Sequence, residues 1–239
     1  MIMPSVLITG AARRLGRSLA EGFAQRGWDV VLHYWRSAQE AYQLAQQLQH
    51  YGVRILTVQA DLRNREQIEH VFTSIAEQWG APDVLVNNAA VYPPAHPLLE
   101  LSPELWEETL RVNLTACLYT SQAFAAVQTV AGRIVNIASL GGVRTWRHRT
   151  AYNVSKAALL QLTRNLALEL APRITVNAVC PGILLLEPGE EGVVPAERIP
   201  AQRYGTAGDV FEAVYFFATA TSYITGQWLL VDGGYHLVR

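Results

Sequence analysis

Short runs of apolar, largely β-branched residues alternate along this chain with longer stretches in which apolar positions recur every three or four residues. The series opens with Val6-Leu7-Ile8-Thr9 and the stretch from Leu15 to Arg26. It continues through Asp29 to His33, Ala38 to His50, Arg54 to Gln59, Arg65 to Trp79 and Val84-Leu85-Val86. Strand and helix in regular turn predict parallel strands joined by crossover helices. Arg133 to Ile137 and Ile174 to Asn177 flank a helical stretch from about Thr150 to Leu170, and Trp228 to Val231 makes a seventh strand. The strand runs are continuously apolar, as a sheet covered by helices on both faces requires. The expectation is an α/β fold with a doubly wound, seven-stranded parallel sheet. No Gly/Pro/Ser-rich linker divides residues 1–239, which read as one domain. The one long irregular stretch, about 181–204, carries Pro188, Gly189, Gly192, Pro195 and Pro200 and is expected to form a lid over a site.

Composition narrows the field. The chain has 239 residues, 50% of them hydrophobic and 16% charged, with a net charge of −1. A near-neutral balance argues against a nucleic-acid binder, which needs clustered cations to neutralise phosphates. Cys117 and Cys180 stand far apart with neither metal-ligand spacing nor a disulfide pattern, so no metal is expected and a reducing cytosol is. No run approaches the length of a membrane helix, and Met1-Ile2-Met3-Pro4 lacks a basic segment before its short apolar run. A soluble, cytoplasmic, unprocessed chain with no membrane partner is the expectation. Of the 19 basic residues, 18 are arginine and one is lysine, Lys156.

The first strand runs into Thr9-Gly10-Ala11-Ala12-Arg13-Arg14-Leu15-Gly16-Arg17 and then a helix. Small residues let a backbone approach a pyrophosphate, and a helix N-terminus offers it free N–H groups and partial positive charge. The same pattern also suits a tight turn with solvated arginines. The second strand ends Leu32-His33-Tyr34-Trp35-Arg36-Ser37 without the carboxylate that usually holds a ribose 2′-hydroxyl. Arg36 offers a bidentate fork, Ser37 a hydroxyl, and Arg14 can reach across, so NADPH is expected over NADH. Asp61 after the third strand can accept from an adenine amino group. Asn87-Asn88-Ala89-Ala90 after the fourth admits a cofactor backbone, although each segment alone also reads as a strand-end cap.

Ser139 follows the fifth strand, Tyr152 lies 13 residues on, and Lys156 is one helical turn beyond Tyr152. A tyrosine near pKa 10 is a poor acid–base catalyst at neutral pH unless a neighbouring cation lowers it. A bare Tyr-x-x-x-Lys is more often a helix-surface pair. Here, however, Thr9-Gly10 to Gly16, Asn87 to Ala90, Asn136-Ile137-Ala138-Ser139, Tyr152 to Lys156, Asn177 to Gly182, Tyr223 to Gln227 and Val231-Asp232-Gly233-Gly234 stand in the order and spacing of one family. The chain resembles the short-chain dehydrogenase/reductases over nearly its whole length, and a Rossmann-type sheet is implied.

The resemblance implies that Tyr152 protonates a carbonyl oxygen as hydride arrives from NADPH, that Ser139 hydrogen-bonds that oxygen, and that Lys156 holds the nicotinamide ribose and lowers the tyrosine pKa. Asn113 matches the anchor of a water relay. Gly10, Arg14, Leu15, Gly16, His33, Arg36, Ser37, Asp61, Leu62, Asn88, Ala89, Pro181, Gly182 and Ile183 fall at cofactor positions. The glycine turn and the stretch ending at Ser37 look most like pteridine reductases, in which Arg14 would face both phosphate and pterin and Tyr92 would stack on the ring. That subgroup carries aspartate where this chain has Ser139, the residue of ordinary carbonyl reduction. A 3-oxoacyl-carrier-protein reductase or another carbonyl reductase is therefore the alternative, with Arg144, Arg147 and Arg149 able to receive an acidic carrier, although such a run is more often a solvated loop or a subunit contact. A catalytically silent NADPH-binding protein is a further reading, disfavoured because Ser139, Tyr152 and Lys156 are all present. By resemblance the chain forms a homo-oligomer, a tetramer, acting on a small molecule. Trp106, Cys117, Leu118, Phe124, Phe211, Phe216 and Phe217 read as core or interface.

Overall fold

In the computed structural model residues 3–238 are described, and Met1 and Ile2 of the expected unprocessed start lie outside them. Seven strands form one sheet: β1 Ser5–Ile8, β2 Asp29–Tyr34, β3 Ile55–Gln59, β4 Val84–Asn87, β5 Gly132–Ile137, β6 Ile174–Pro181 and β7 Trp228–Val231. All pairings are parallel, in the order β3-β2-β1-β4-β5-β6-β7. The helices are α1 Arg14–Gln25, α2 Ala38–Leu48, α3 Arg65–Trp79, α4 Pro103–Leu110, α5 Ala116–Val127, α6 Thr150–Leu170 and α7 Ala207–Thr219.

Alternate strand residues feed two separate cores, as the two-residue side-chain period dictates. Val6, Ile8, Val30 and Leu32 pack against Leu19 and Phe23 of α1, Leu44 of α2 and Phe211, Val214 and Phe217 of α7. Leu7, Val31, Leu85 and Ile134 point the other way, onto Ile68 and Phe72 of α3, Phe124 of α5 and Leu166 of α6. β2 and β6 are buried at every position, which is why they read as continuous apolar runs. The strand order reverses between β1 and β4, so crossovers leave on opposite faces and open a crevice at the carboxyl ends of the strands.

Three local features differ from the periodicity. β6 extends to Pro181, four residues past the expected Asn177. Trp106 and Phe124 lie on successive helices, α4 and α5, joined by a π turn at Arg111–Thr115 that a regular helical period does not foresee. Phe216, read as core or interface, is exposed on α7, whereas Phe211 and Phe217 are buried. The irregular stretch contains only a short 3₁₀ turn, Ala196–Arg198, and is pinned at its ends by the Leu184–Gly205 bridge and by Ala201 N–H donating to Gly233 O (3.0 Å). Among the described residues no helix is long and apolar enough to cross a membrane.

Candidate active site

A groove of about 750 Å³ follows the carboxyl ends of the strands, lined by residues from Gly10 through Val193. At one end Gly10 adopts a left-handed φ of 63° and its N–H donates to Nδ1 of His33 (3.1 Å). The other ring nitrogen pairs with Ala60 O (3.1 Å), which fixes the Nε2–H tautomer. Burial pushes the imidazole pKa down to about 4. His33, expected at the cofactor, has both nitrogens engaged inside the protein and shapes the turn from below. Thr9 Oγ1 accepts from the N–H groups of Asn88 (2.9 Å) and Ala89 (3.0 Å), and Asn88 Nδ2 donates back to Thr9 O (2.9 Å) and Gly10 O (3.2 Å). The turn after β1 and the turn after β4 are thereby clamped together. A Cβ at Gly16 would strike Gly10 O and the Asn88 amide, so only glycine lets α1 start here.

Arg14 adopts a left-handed backbone (φ 51°) and reaches Glu190 of the irregular stretch, Nη1 to Oε1 at 2.5 Å. Glu190 Oε2 accepts in turn from the N–H groups of Leu186 (2.8 Å) and Glu187 (3.3 Å). Past the end of β2, Arg36 lies against the Trp35 ring, Cζ 3.7 Å from its centroid, and Ser37 stands at the N-terminus of α2. Arg36 makes no ion pair among the described residues. Asp61, expected to accept from an adenine amino group, has both oxygens accepting from Arg63 (2.6–3.1 Å), because a guanidinium two residues on folds back over the turn. That pair, with the Arg63 hydrogen bond as the main cause, holds the Asp61 carboxyl below its usual range. Trp35 and Arg63 escaped the sequence reading, although a cation two residues beyond Asp61 was the available signal.

At the other end Ser139, Tyr152 and Lys156 come together along the same wall with Ile137 and Ala138. Ser139 Oγ accepts from Gly141 N–H (3.0 Å), and Lys156, 2% exposed, donates Nζ–H to Ile137 O (2.7 Å). Burial lowers the Lys156 pKa and pushes the Tyr152 phenol up to about 12, with the Ser139 hydroxyl and the Arg149 guanidinium pulling the phenol the other way. The expected depression of the tyrosine by the lysine is absent from this geometry, since the ammonium is turned to Ile137 O and lies 5.9 Å from the centre of the Tyr152 ring. Cys117 and Cys180 are buried near the ammonium, and burial raises their thiols to about 11 and about 12.

Asn113 sits in the π turn and commits its side chain to structure: Oδ1 accepts from Val91 N–H (2.8 Å), and Nδ2 donates to Val91 O (3.0 Å) and Ser155 Oγ (3.1 Å). This anchors the loop carrying Tyr92, whose ring meets that of Tyr152 edge-on, centroids 4.7 Å apart at 86°. Arg149 covers Tyr92, Cζ 4.3 Å from its centroid, and donates to Pro93 O; Arg144 donates to Tyr235 O (2.7 Å). Two of the three arginines expected to meet a carrier or solvent are thus turned onto the protein, and only Arg147 is exposed without a partner among the described residues. Leu15, Leu62, Ala89, Pro181, Gly182 and Ile183 all line the groove, and so does Trp146, which the sequence reading passed over.

The family model described as enoyl-(acyl carrier protein) reductase matches residues 10–236. The chain is 33% identical to a 3-oxoacyl-[acyl-carrier-protein] reductase of Synechocystis sp., with 95% of each chain covered. Among solved structures it is similar to a blue fluorescent protein from a metagenomic library in complex with NADPH, at 33% identity and TM-score 0.90 over 97% of each chain. It is also similar to FolM alternative dihydrofolate reductase 1 from Brucella canis complexed with NADP, at 31% identity and TM-score 0.89 over 99% of this chain and 95% of that one.

Proposed function

The chain belongs to the short-chain dehydrogenase/reductase family, and we propose that it is an NADPH-dependent reductase acting on a C=O or C=N group of a small substrate, in the manner of pteridine reductases. One observation carries the reading. A single groove holds an uncommitted guanidinium, Arg36, at one end and Ser139, Tyr152 and Lys156 at the other. The residues fit the cofactor. Gly10 and Gly16 let the backbones of the two turns meet where a Cβ would not fit, no carboxylate ends β2 to repel a 2′-phosphate, and Pro181, Gly182 and Ile183 also line the groove. When bound, NADPH supplies hydride from its nicotinamide ring.

The protein supplies the proton and the positioning. With its phenol held at about 12, Tyr152 is fully protonated at neutral pH and is the donor to the oxygen or nitrogen that gains electron density. Ser139 would hydrogen-bond the same atom, and Lys156, its ammonium turned to Ile137 O, would hold the ribose. The water relay behind Lys156 is carried over from the family to Asn113, whose side-chain amide is committed to Val91 and Ser155 and whose main-chain carbonyl accepts from Cys117 Sγ (3.5 Å).

Tyr92 against Tyr152, with Trp146 and Arg14 also lining the groove, favours a flat, hydrogen-bonding ring such as a pterin. Ser139 favours the second reading, a 3-oxoacyl-thioester or other carbonyl substrate, because a serine hydroxyl polarises a carbonyl but cannot protonate a pterin ring as a carboxyl does. We carry over from the family a homotetramer in the cytoplasm. NADPH oxidation followed with dihydropterins, quinonoid pterins, acetoacetyl thioesters and simple diketones separates the readings. Turnover of pterins alone supports the first and of thioesters the second. Oxidation with none of them rejects both in favour of a silent cofactor binder.

A further inference from the structure

Arg63 has the most connected side chain at the Arg36 end of the groove. Its Nε and Nη2 donate to both oxygens of Asp61, its Nη1 donates to Glu108 of α4 (3.0 Å), and its Cζ lies 4.2 Å from the centroid of the Trp35 ring. Arg36 lies on that same ring at 3.7 Å. Trp35 is held in turn by Gln59, whose Nε2 donates to its backbone carbonyl (2.9 Å).

Two guanidinia therefore share one indole, and they differ in charge balance. Arg63 faces two carboxylates, whereas Arg36 faces none as an ion-pair partner among the described residues. Asp61 lies within the field of Arg36, which is one of the charges lowering its pKa. Bidentate Arg–carboxylate pairs are among the strongest polar contacts, so an Asp61 released from Arg63 would capture Arg36 or repel a phosphate placed beside it. The indole works on shape, because an aromatic face against a guanidinium restrains a long, flexible stem.

We propose that Arg63 and Trp35 together set the cofactor preference: Arg63 keeps Asp61 from neutralising Arg36, and Trp35 holds the Arg36 guanidinium at the groove edge, where it receives the 2′-phosphate that distinguishes NADPH from NADH. This rests on the NADPH reading above. Neither residue need touch the cofactor; both act through Arg36, as positioning residues for specificity.

The test is equilibrium titration of the full chain with NADPH and with NADH, followed by nicotinamide fluorescence. Arg63→Ala is expected to raise the NADPH Kd about tenfold and to change the NADH Kd by less than about twofold, as loss of a charge-assisted contact predicts. Trp35→Ala is expected to give a smaller loss, about threefold, which Trp35→Phe restores because a ring face remains. Adding Asp61→Asn to Arg63→Ala should recover most of the NADPH preference, since the competing carboxylate is then gone. Equal weakening of both cofactors marks a merely structural role and overturns the proposal, as does an unchanged preference or a double variant no better than Arg63→Ala. If Arg63→Ala does not fold, Arg63→Met, which keeps the aliphatic stem and loses both the charge and the fork that hold Asp61, is read against the same criteria. A wild-type chain that binds NADH as well as NADPH overturns the NADPH reading itself, an outcome visible before any variant is made.

Discussion

Lys156 is the only lysine of the chain and is buried without a carboxylate partner among the described residues, its charge answered by Ile137 O. An arginine carries the same charge on a broader fork that must displace the surroundings of a side chain only 2% exposed, and it cannot shift its pKa. Lys156→Arg is therefore expected to keep the far-ultraviolet dichroism of the wild type while kcat falls by about 100-fold or more, the usual range for a lost proton-transfer partner. His33 makes a pH prediction. Its folded pKa, about 4, lies below the unfolded 6.5, so the unfolded chain binds more protons between those values. The neutral imidazole's contribution is complete above pH 6.5 and is lost as pH falls towards 4, roughly 3 kcal/mol in all. Urea unfolding across that window should show the slope, and His33→Gln should flatten it. Carboxyls lowered by the fold, Asp61 among them, add slope of the same sign at the acid end of that window, so the imidazole's share is the part that His33→Gln removes.

At the scale of the element, α1 begins where two backbones touch. Alanine at position 16 gains about 0.5–1 kcal/mol of helix propensity, but its Cβ would overlap Gly10 O and the Asn88 amide, an overpacking that typically costs about 1–3 kcal/mol. The second effect wins. Gly16→Ala is expected to lower the urea midpoint and to weaken NADPH binding together, because the displaced atoms belong to the clamp between the turns after β1 and β4. Helix spans were legible because each amphipathic stripe faces one of two cores, and α3 and α6 fall where the periodicity put them. The π turn at Arg111–Thr115 was not. It adds a residue to one turn without changing which residues are apolar, and it is stabilised by a contact 22 positions away, Asn113 with Val91.

Across the molecule, the ion pair of Arg14 with Glu190 ties the proposed lid to the phosphate turn, and Glu190 also closes the lid's own turn through Leu186 and Glu187. Both charges are partly solvated, so the pair contributes at most about 1 kcal/mol to global stability. Glu190→Ala is accordingly expected to leave the melting temperature within a few degrees while cleavage by a non-specific protease at residues 187–193 accelerates several-fold. Equal cleavage of both chains would show that the contact does not restrain the segment. The sequence by itself determined the layered α/β architecture, the glycine turn and the Ser139–Tyr152–Lys156 spacing, because helix and strand periods and the i, i+4 step are local rules. Only the tertiary structure decided that Arg63 occupies Asp61, that His33 lies beneath Gly10, that Arg144 and Arg149 face inward and that the Lys156 ammonium is turned to Ile137. Each of these depends on which charged or polar groups the fold brings within hydrogen-bonding reach. Where a residue has several possible partners, burial and competition among them choose, and neither can be read from its neighbours in the chain.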